Sequence, residues 1–355
     1  MKPPLLTLAL SAFALPLLFP AGVGAQSDAA KAFFEENLLV DGVCFPYYRP
    51  GSAFQRFVRD ENGKIDMAEY RDTTGVDVAI WDIRKQAEML KFIRGVELGH
   101  FINVRVIRKA TDIETVFRER KQGWLFYTQH PWPLGGTTAP MEGWHRDGLR
   151  VLQVVYGSSI PVSPGDELGT GSSRDDADSP GLTPLGREVV AECNRLGIIV
   201  EVSHCNKQTT LEVANLSTAP VLCSHAGCEA VTPAKRNKSD EEIRAIAQSG
   251  GLIGITPIKF MLTDDAAPGA SMAQFIKHLE HAIQIAGIDH VGIASDLKRN
   301  GLPESEQIAY TSPELNSQER WFHLYDALKA RGYSDEEQAK IFGLNYLRLL
   351  KAVLK

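Results

Sequence analysis

Eight short runs rich in Val, Ile and aromatic residues recur along this chain, with amphipathic stretches of helical period between them. They are 38–45, 75–82, 124–130, 150–156, 198–204, 219–225, 251–257 and 290–296. Several are apolar throughout, as strands buried on both faces must be, which calls for a parallel sheet covered by helices. Eight such strands alternating with helices predict an α/β fold, a (β/α)₈ TIM-type barrel rather than an open sheet. No glycine-rich phosphate loop follows the first strand, which disfavours a dinucleotide-binding fold.

Local signals mark the helices. Thr183-Pro184 opens one that runs to Leu196 and stops at Gly197, with N-cap, proline and C′ glycine in their preferred places. Ser239-Asp240-Glu241-Glu242 reads as a capping box, Met272 to Ala286 is a third helix, and Ser334-Asp335-Glu336-Glu337 caps a fourth. The segment from Gly157 to Gly181, dense in Gly, Ser, Asp and Pro, is too long for a simple connection and reads as a lid, binding loop or insertion.

The N-terminus reads as a targeting segment. Lys2 is its only charge, an apolar run extends from Leu5 to Leu18, and Val23-Gly24-Ala25 offers a small-residue cleavage site. Residues 1–25 are therefore expected to be a signal peptide and 26–355 a single barrel domain, exported to the periplasm or beyond the cell. The apolar run is shorter than the ~20 residues of a membrane span, and a retained anchor is the alternative. The net charge of −6 becomes more negative once Lys2 is lost, which argues against nucleic acid or anionic membranes as partners. Five cysteines, an odd count without a Cys-x-x-Cys pair, suggest free buried thiols. One bridge, with Cys205–Cys228 the first pair to test, is the alternative.

Chemistry concentrates at strand ends. The runs 198–204 and 219–225 each finish in Ser-His, at His204 and His225, and the run 290–296 finishes on Asp296. Barrel enzymes assemble metal sites and general bases from the C-terminal ends of their strands, so these three side chains point to one basin. A structural hydrogen-bonding role for the histidines is the competing reading. His130, beside the end of the third strand, is expected to face outward, the alternative being that it turns in as a third metal-binding nitrogen, and Cys223 to pack in the core on the inward face it shares with His225.

With these motifs together, the chain resembles the membrane (renal) dipeptidase family of zinc peptidases. Gly181-Leu182-Thr183-Pro184, Val202-Ser203-His204, Ser224-His225, Lys235-Arg236-Asn237-Lys238, Val291 to Asp296 and Phe342 to Arg348 carry the likeness. The resemblance implies a metallo-dependent-hydrolase barrel, zinc held by His204 and His225, Asp296 as general base and Arg236 on a substrate carboxylate. It also implies departures. Where the family's first strand supplies a histidine and an aspartate to one metal, Val43 and Phe45 stand here. Gln129 occupies the position of the bridging glutamate, and Tyr156 that of a further histidine. Apolar groups and a neutral amide are poor partners for a second dication.

The expected function is thus hydrolysis of small peptide-like amides with at most one zinc and weak or altered activity, with Asp296 and Tyr156 as catalytic groups. The alternative is a non-catalytic homologue that binds a peptide- or siderophore-like ligand or serves a maturation pathway. The expected partner is a small ligand bearing a carboxylate, and family habit suggests a homodimer.

Overall fold

The computed structural model describes residues 27–45, 62–156, 167–169, 180–263, 270–298 and 314–355. The segment 1–25, expected from the sequence to be a signal peptide, and most of the Gly157–Gly181 loop lie outside the described residues. The barrel strands are β1 (Val40–Phe45), β2 (Val78–Asp82), β3 (Gln122–Thr128), β4 (Leu149–Gln153), β5 (Ile199–Glu201), β6 (Leu222–Ala226), β7 (Leu252–Ile255) and β8 (Val291–Ile293). Each pairs in parallel with the next. After β8 the chain resumes as Leu297–Lys298 and pairs with β1, Cys44 opposite Leu297, which closes the sheet on itself. All eight sequence-predicted runs are strands. Small additions are a two-stranded ribbon of Ile65–Asp66 with Phe101–Ile102, and Val104–Val106 beside β3.

Several strands end earlier than their apolar runs, for physical reasons. β5 stops at Glu201 because the carboxylate of that residue takes the Ser203 and Ser224 N–H groups, at 2.9 and 2.8 Å, that a continued ladder would use. β8 stops because Ser295 N–H turns to the Asp41 carboxylate at 2.7 Å and Asp296 adopts φ +50°. β2 starts late because Gly75, at φ +75°, still caps the helix Ala68–Thr74.

Alternation along the strands sorts the apolar side chains into two sets. Trp81, Trp124, Phe126, Val200 and Ile253 pack outward beneath the helices. Val78, Ile80, Leu125, Tyr127, Val151, Ile199, Leu222, Leu252 and Ala294 fill the barrel. The capping signals are realised: Thr183 Oγ1 accepts from Gly186 N, and Ser239, Ser271 and Ser334 each form a capping box. All five cysteines are free and buried. Among the described residues no helix is long and apolar enough to cross a membrane.

The N-terminal end of the barrel is plugged from the C-terminal helix Asn345–Val353. Tyr346 enters between three glycines and donates from its hydroxyl to Ile293 O at 2.9 Å. A Cβ at Gly42 would stand 1.8 Å from that hydroxyl, one at Gly292 2.7 Å from the ring, and one at Gly254 2.8 Å from the hydroxyl. Asn345 fastens the same helix by donating to Ile288 O and Val291 O, both at 2.7 Å. Gly42→Ala should therefore destabilise the fold by about 1–3 kcal/mol, the range for overpacked cores. Chemical denaturation measures this, and an unchanged midpoint would show that the plug yields freely.

Candidate active site

Above the apolar filling, the inward alternation continues into polar residues at the C-terminal ends of the strands. Asp82 ends β2, Gln129 follows β3, Gln153 ends β4, Glu201 ends β5, Ser224 lies in β6, Thr256 follows β7 and Asp296 follows β8. Buried polar groups are costly unless paired, and this layer is densely paired. Tyr127 donates to Gln153 Oε1 at 2.5 Å and lies 3.0 Å from Glu201 Oε2. Gln153 Nε2 donates to Gln129 O and Val155 O. The other oxygen of Glu201 gathers the N–H and the hydroxyl of both Ser203 and Ser224.

Those serines precede the two histidines, and the network brings the imidazoles together. His204 Nε2 and His225 Nε2 face each other at 3.0 Å. The register shift between β6 and β7 across Cys223–Ala226 breaks strict alternation, which lets His225 reach the basin while Cys223 packs outward. The expectation that Cys223 shares the inward face of His225 is corrected accordingly, although its core-packing role stands. Tyr156 packs against His204 with ring centroids 4.4 Å apart and planes tilted by 34°, and the His130 ring lies 3.9 Å from that of Tyr156. His130 therefore packs against the edge of the basin rather than pointing away, and burial lowers its pKa to about 4.

Asp296 sits in the left-handed region, which is uncommon outside glycine and often found at functional sites. Its N–H donates to Val43 O at 2.9 Å, which sets it beside β1. Burial raises its pKa to about 7, against the opposing pull of Arg236 and with further upward pushes from Asp82, Asp41 and Glu201. Burial likewise drives His225 well below the ordinary imidazole value, with Arg236 and Lys238 adding to the effect. Tyr156 is shifted upward, mainly by burial, so its phenol stays protonated at neutral pH. Arg236 is buried and donates from Nη1 to Ser203 O. Its loop is held by Asn237, which bonds Gly227 N, Thr232 O and Met261 O, and by Lys238, which bonds Cys205 O and Thr210 Oγ1.

The residues at the remaining positions are as the sequence has them. Val43 is buried within the barrel filling and Phe45 is half-buried at the end of β1. Gln129 is buried, its N–H on Asp82 Oδ1 at 2.8 Å, and its Nε2 has no hydrogen-bond partner among the described residues. Two imidazole nitrogens on one tetrahedral zinc stand about 3.3–3.4 Å apart, given Zn–N distances near 2.0–2.1 Å. The 3.0 Å separation at His204 and His225 is close to that requirement, so the pair fits one ion. Among the described residues no group of three His, Cys, Asp or Glu side chains is arranged to hold a metal. Further coordination would come from a ligand, water or a modest movement of Asp296.

Sequence reasoning passed over Glu201, Gln153 and Asp82. The available signal was a charged or amide side chain at an inward position of a run otherwise apolar, such as Glu201 within Ile198–Val202. Asp82 resembles Asp296 in its setting: burial raises its pKa to about 7, against Gln129 N–H and Arg84, with Glu88 and Glu201 pushing it further up.

A membrane dipeptidase (Peptidase family M19) profile matches residues 29–355. The chain belongs to the membrane dipeptidase family. It is 29% identical over 251 residues to the dipeptidase tcpJ of Claviceps purpurea (strain 20.1), a match covering 70% of this chain and 55% of that relative. The chain thus spans little more than half the length of that fungal protein. Its fold is similar to an amidohydrolase from Pseudomonas aeruginosa, with TM-score 0.75 and 21% identity over 92% of this chain and 99% of that one. It is also similar to a metallopeptidase from Rhodobacter sphaeroides solved with a phosphinate mimic of the dipeptide L-Ala-D-Ala, with TM-score 0.71 and 20% identity over 89% and 99% of the two chains. These two structural likenesses show the barrel fold.

A buried acid whose folded pKa is raised binds a proton that the unfolded chain releases, so its burial lowers stability as pH climbs from the ordinary value to the folded one. Asp82→Asn mimics the protonated form and keeps an acceptor for Gln129 N–H. Its stability relative to the native chain should grow between about pH 4 and 7, at about 1.4 kcal/mol per pH unit at most, and level off above. Denaturation at a series of pH values reads this. A difference that does not vary with pH would place Asp82 in an ordinary, solvated environment.

Proposed function

We propose that this dipeptidase-family chain is an exported hydrolase of small peptide-like amides, working with at most one zinc ion and with weak or altered activity. The observation that carries the reading is the facing pair of His204 and His225 Nε2 atoms on the same rim as Asp296 and Arg236. In this reading His204 and His225 hold the ion, and residues 1–25 are removed on export. The chemistry that a bound zinc supplies there is Lewis-acid polarisation of an amide carbonyl.

The side chains do the rest. Asp296, with its pKa raised to about 7, accepts a proton from water near neutrality and returns it to the departing amine. Tyr156 keeps its phenolic proton and donates it as a hydrogen bond to the developing oxyanion. Arg236 supplies the positive charge for a substrate carboxylate. Gln129 offers an N–H to a ligand carbonyl where the family has a carboxylate. Val43 and Phe45 supply no lone pairs for a second metal, and without it a two-ion site loses stabilisation worth roughly 10²- to 10⁴-fold in rate, at ~1.4 kcal/mol per tenfold.

The apolar Val43 and Phe45 also favour a second reading, a non-catalytic homologue that binds a peptide- or siderophore-like ligand. Dipeptide turnover with added zinc separates the two. Weak hydrolysis that is lost on chelation and in Asp296→Asn is expected. A family-typical rate would mean that the replaced ligands matter less than argued. No turnover, with saturable binding of a carboxylate ligand that requires Arg236, would favour the binding protein.

A further inference from the structure

Glu201 is fully buried inside the barrel, yet it does not belong to any proposed ligand set. Its Oε1 accepts two main-chain N–H groups, from Ser203 at 2.9 Å and from Ser224 at 2.8 Å. The Ser224 hydroxyl lies between that same oxygen, at 2.9 Å, and His225 Nδ1, at 2.8 Å. A hydroxyl has one proton to give. Given to the imidazole, it would leave two oxygens in contact with lone pairs opposed. Given to Glu201, it leaves a lone pair on Ser224 Oγ to accept from a proton on His225 Nδ1. The main chain agrees, because His225 N–H donates to Ser203 Oγ at 2.9 Å, which turns the Ser203 proton toward Glu201 as well.

We propose that Glu201, acting through the Ser224 hydroxyl, holds His225 as the Nδ1–H tautomer and leaves its Nε2 lone pair bare toward His204, to receive a divalent cation. Glu201 and Ser224 are then positioning residues, in the way that outer carboxylates orient metal-binding imidazoles. This rests on the reading of His204 and His225 as the binding pair. Two imidazole nitrogens 3.0 Å apart require a proton or a cation between them. With His225 Nε2 bare, the proton of the cation-free protein belongs to His204 Nε2.

The test is ¹⁵N NMR of histidine-labelled, full-length protein without metal, followed by titration with zinc alone. In the native protein His225 should show a protonated Nδ1 and a bare Nε2. Ser224→Ala should move it toward the Nε2–H form and weaken zinc binding by about 10- to 100-fold. Ser203→Ala, which leaves the Glu201–Ser224–His225 chain in place, should keep the Nδ1–H form. A native His225 protonated on Nε2 overturns the proposal, and the native spectrum decides this even if Ser224→Ala fails to fold. A Ser224→Ala protein that keeps both the tautomer and the zinc affinity also overturns it. The expected tautomer with no zinc bound by any form would uphold the positioning by Glu201 and reject the zinc-hydrolase reading instead.

Discussion

The site depends on one buried carboxylate. Glu201 sits where β5 and β6 would otherwise continue their ladder, and it draws Ser203 and Ser224 onto a single oxygen. That substitution of a side chain for a carbonyl ends β5 early and turns both Ser-His segments inward together. A charge taken out of water is tolerated only when its lone pairs are filled, and here backbone N–H groups, serine hydroxyls and the Tyr127 hydroxyl surround it. The same interaction thus shapes the strand ends and sets the distance between the two imidazoles.

Around it the barrel is layered. Tyr346 and three glycines seal the N-terminal end, branched aliphatics fill the middle, and polar residues crown the C-terminal end. The crown is electrostatically tense. Burial drives both Asp82 and Asp296 toward neutrality, and the Asp82 charge pushes Asp296 further up while Arg236 pulls it back. A basin with carboxyls near pKa 7 and a buried guanidinium suits acid–base work on a small anionic ligand.

Much of this was legible from the sequence because periodicity and caps are local. The runs around Val78–Asp82 and Leu252–Ile255 declare buried parallel strands, and Thr183, Ser239 and Ser334 declare their helices. The pairing of His204 with His225 was legible because each closes an equivalent strand. What escaped has non-local causes. The place of His225 depends on a register shift against β7, and that of His130 on a ring contact with Tyr156, from the segment after β4. Glu201 looked like one charge in an apolar run, since its partners come from β3 and β6 as well as its own turn. Cys223 was misplaced for the same reason: alternation counts residues and does not register a bulge.

Membership of the membrane dipeptidase family supplies the scaffold, while Val43 and Phe45 bring no lone pair and Gln129 only a neutral amide to the set of possible donors. The central claim is that this set supports one divalent ion and not two. Elemental analysis of the purified mature protein, after incubation with zinc and removal of excess, tests it most directly. One zinc or fewer per chain, lost when His204 and His225 are replaced by Ala, is the expected result. Two zinc ions per chain would contradict it.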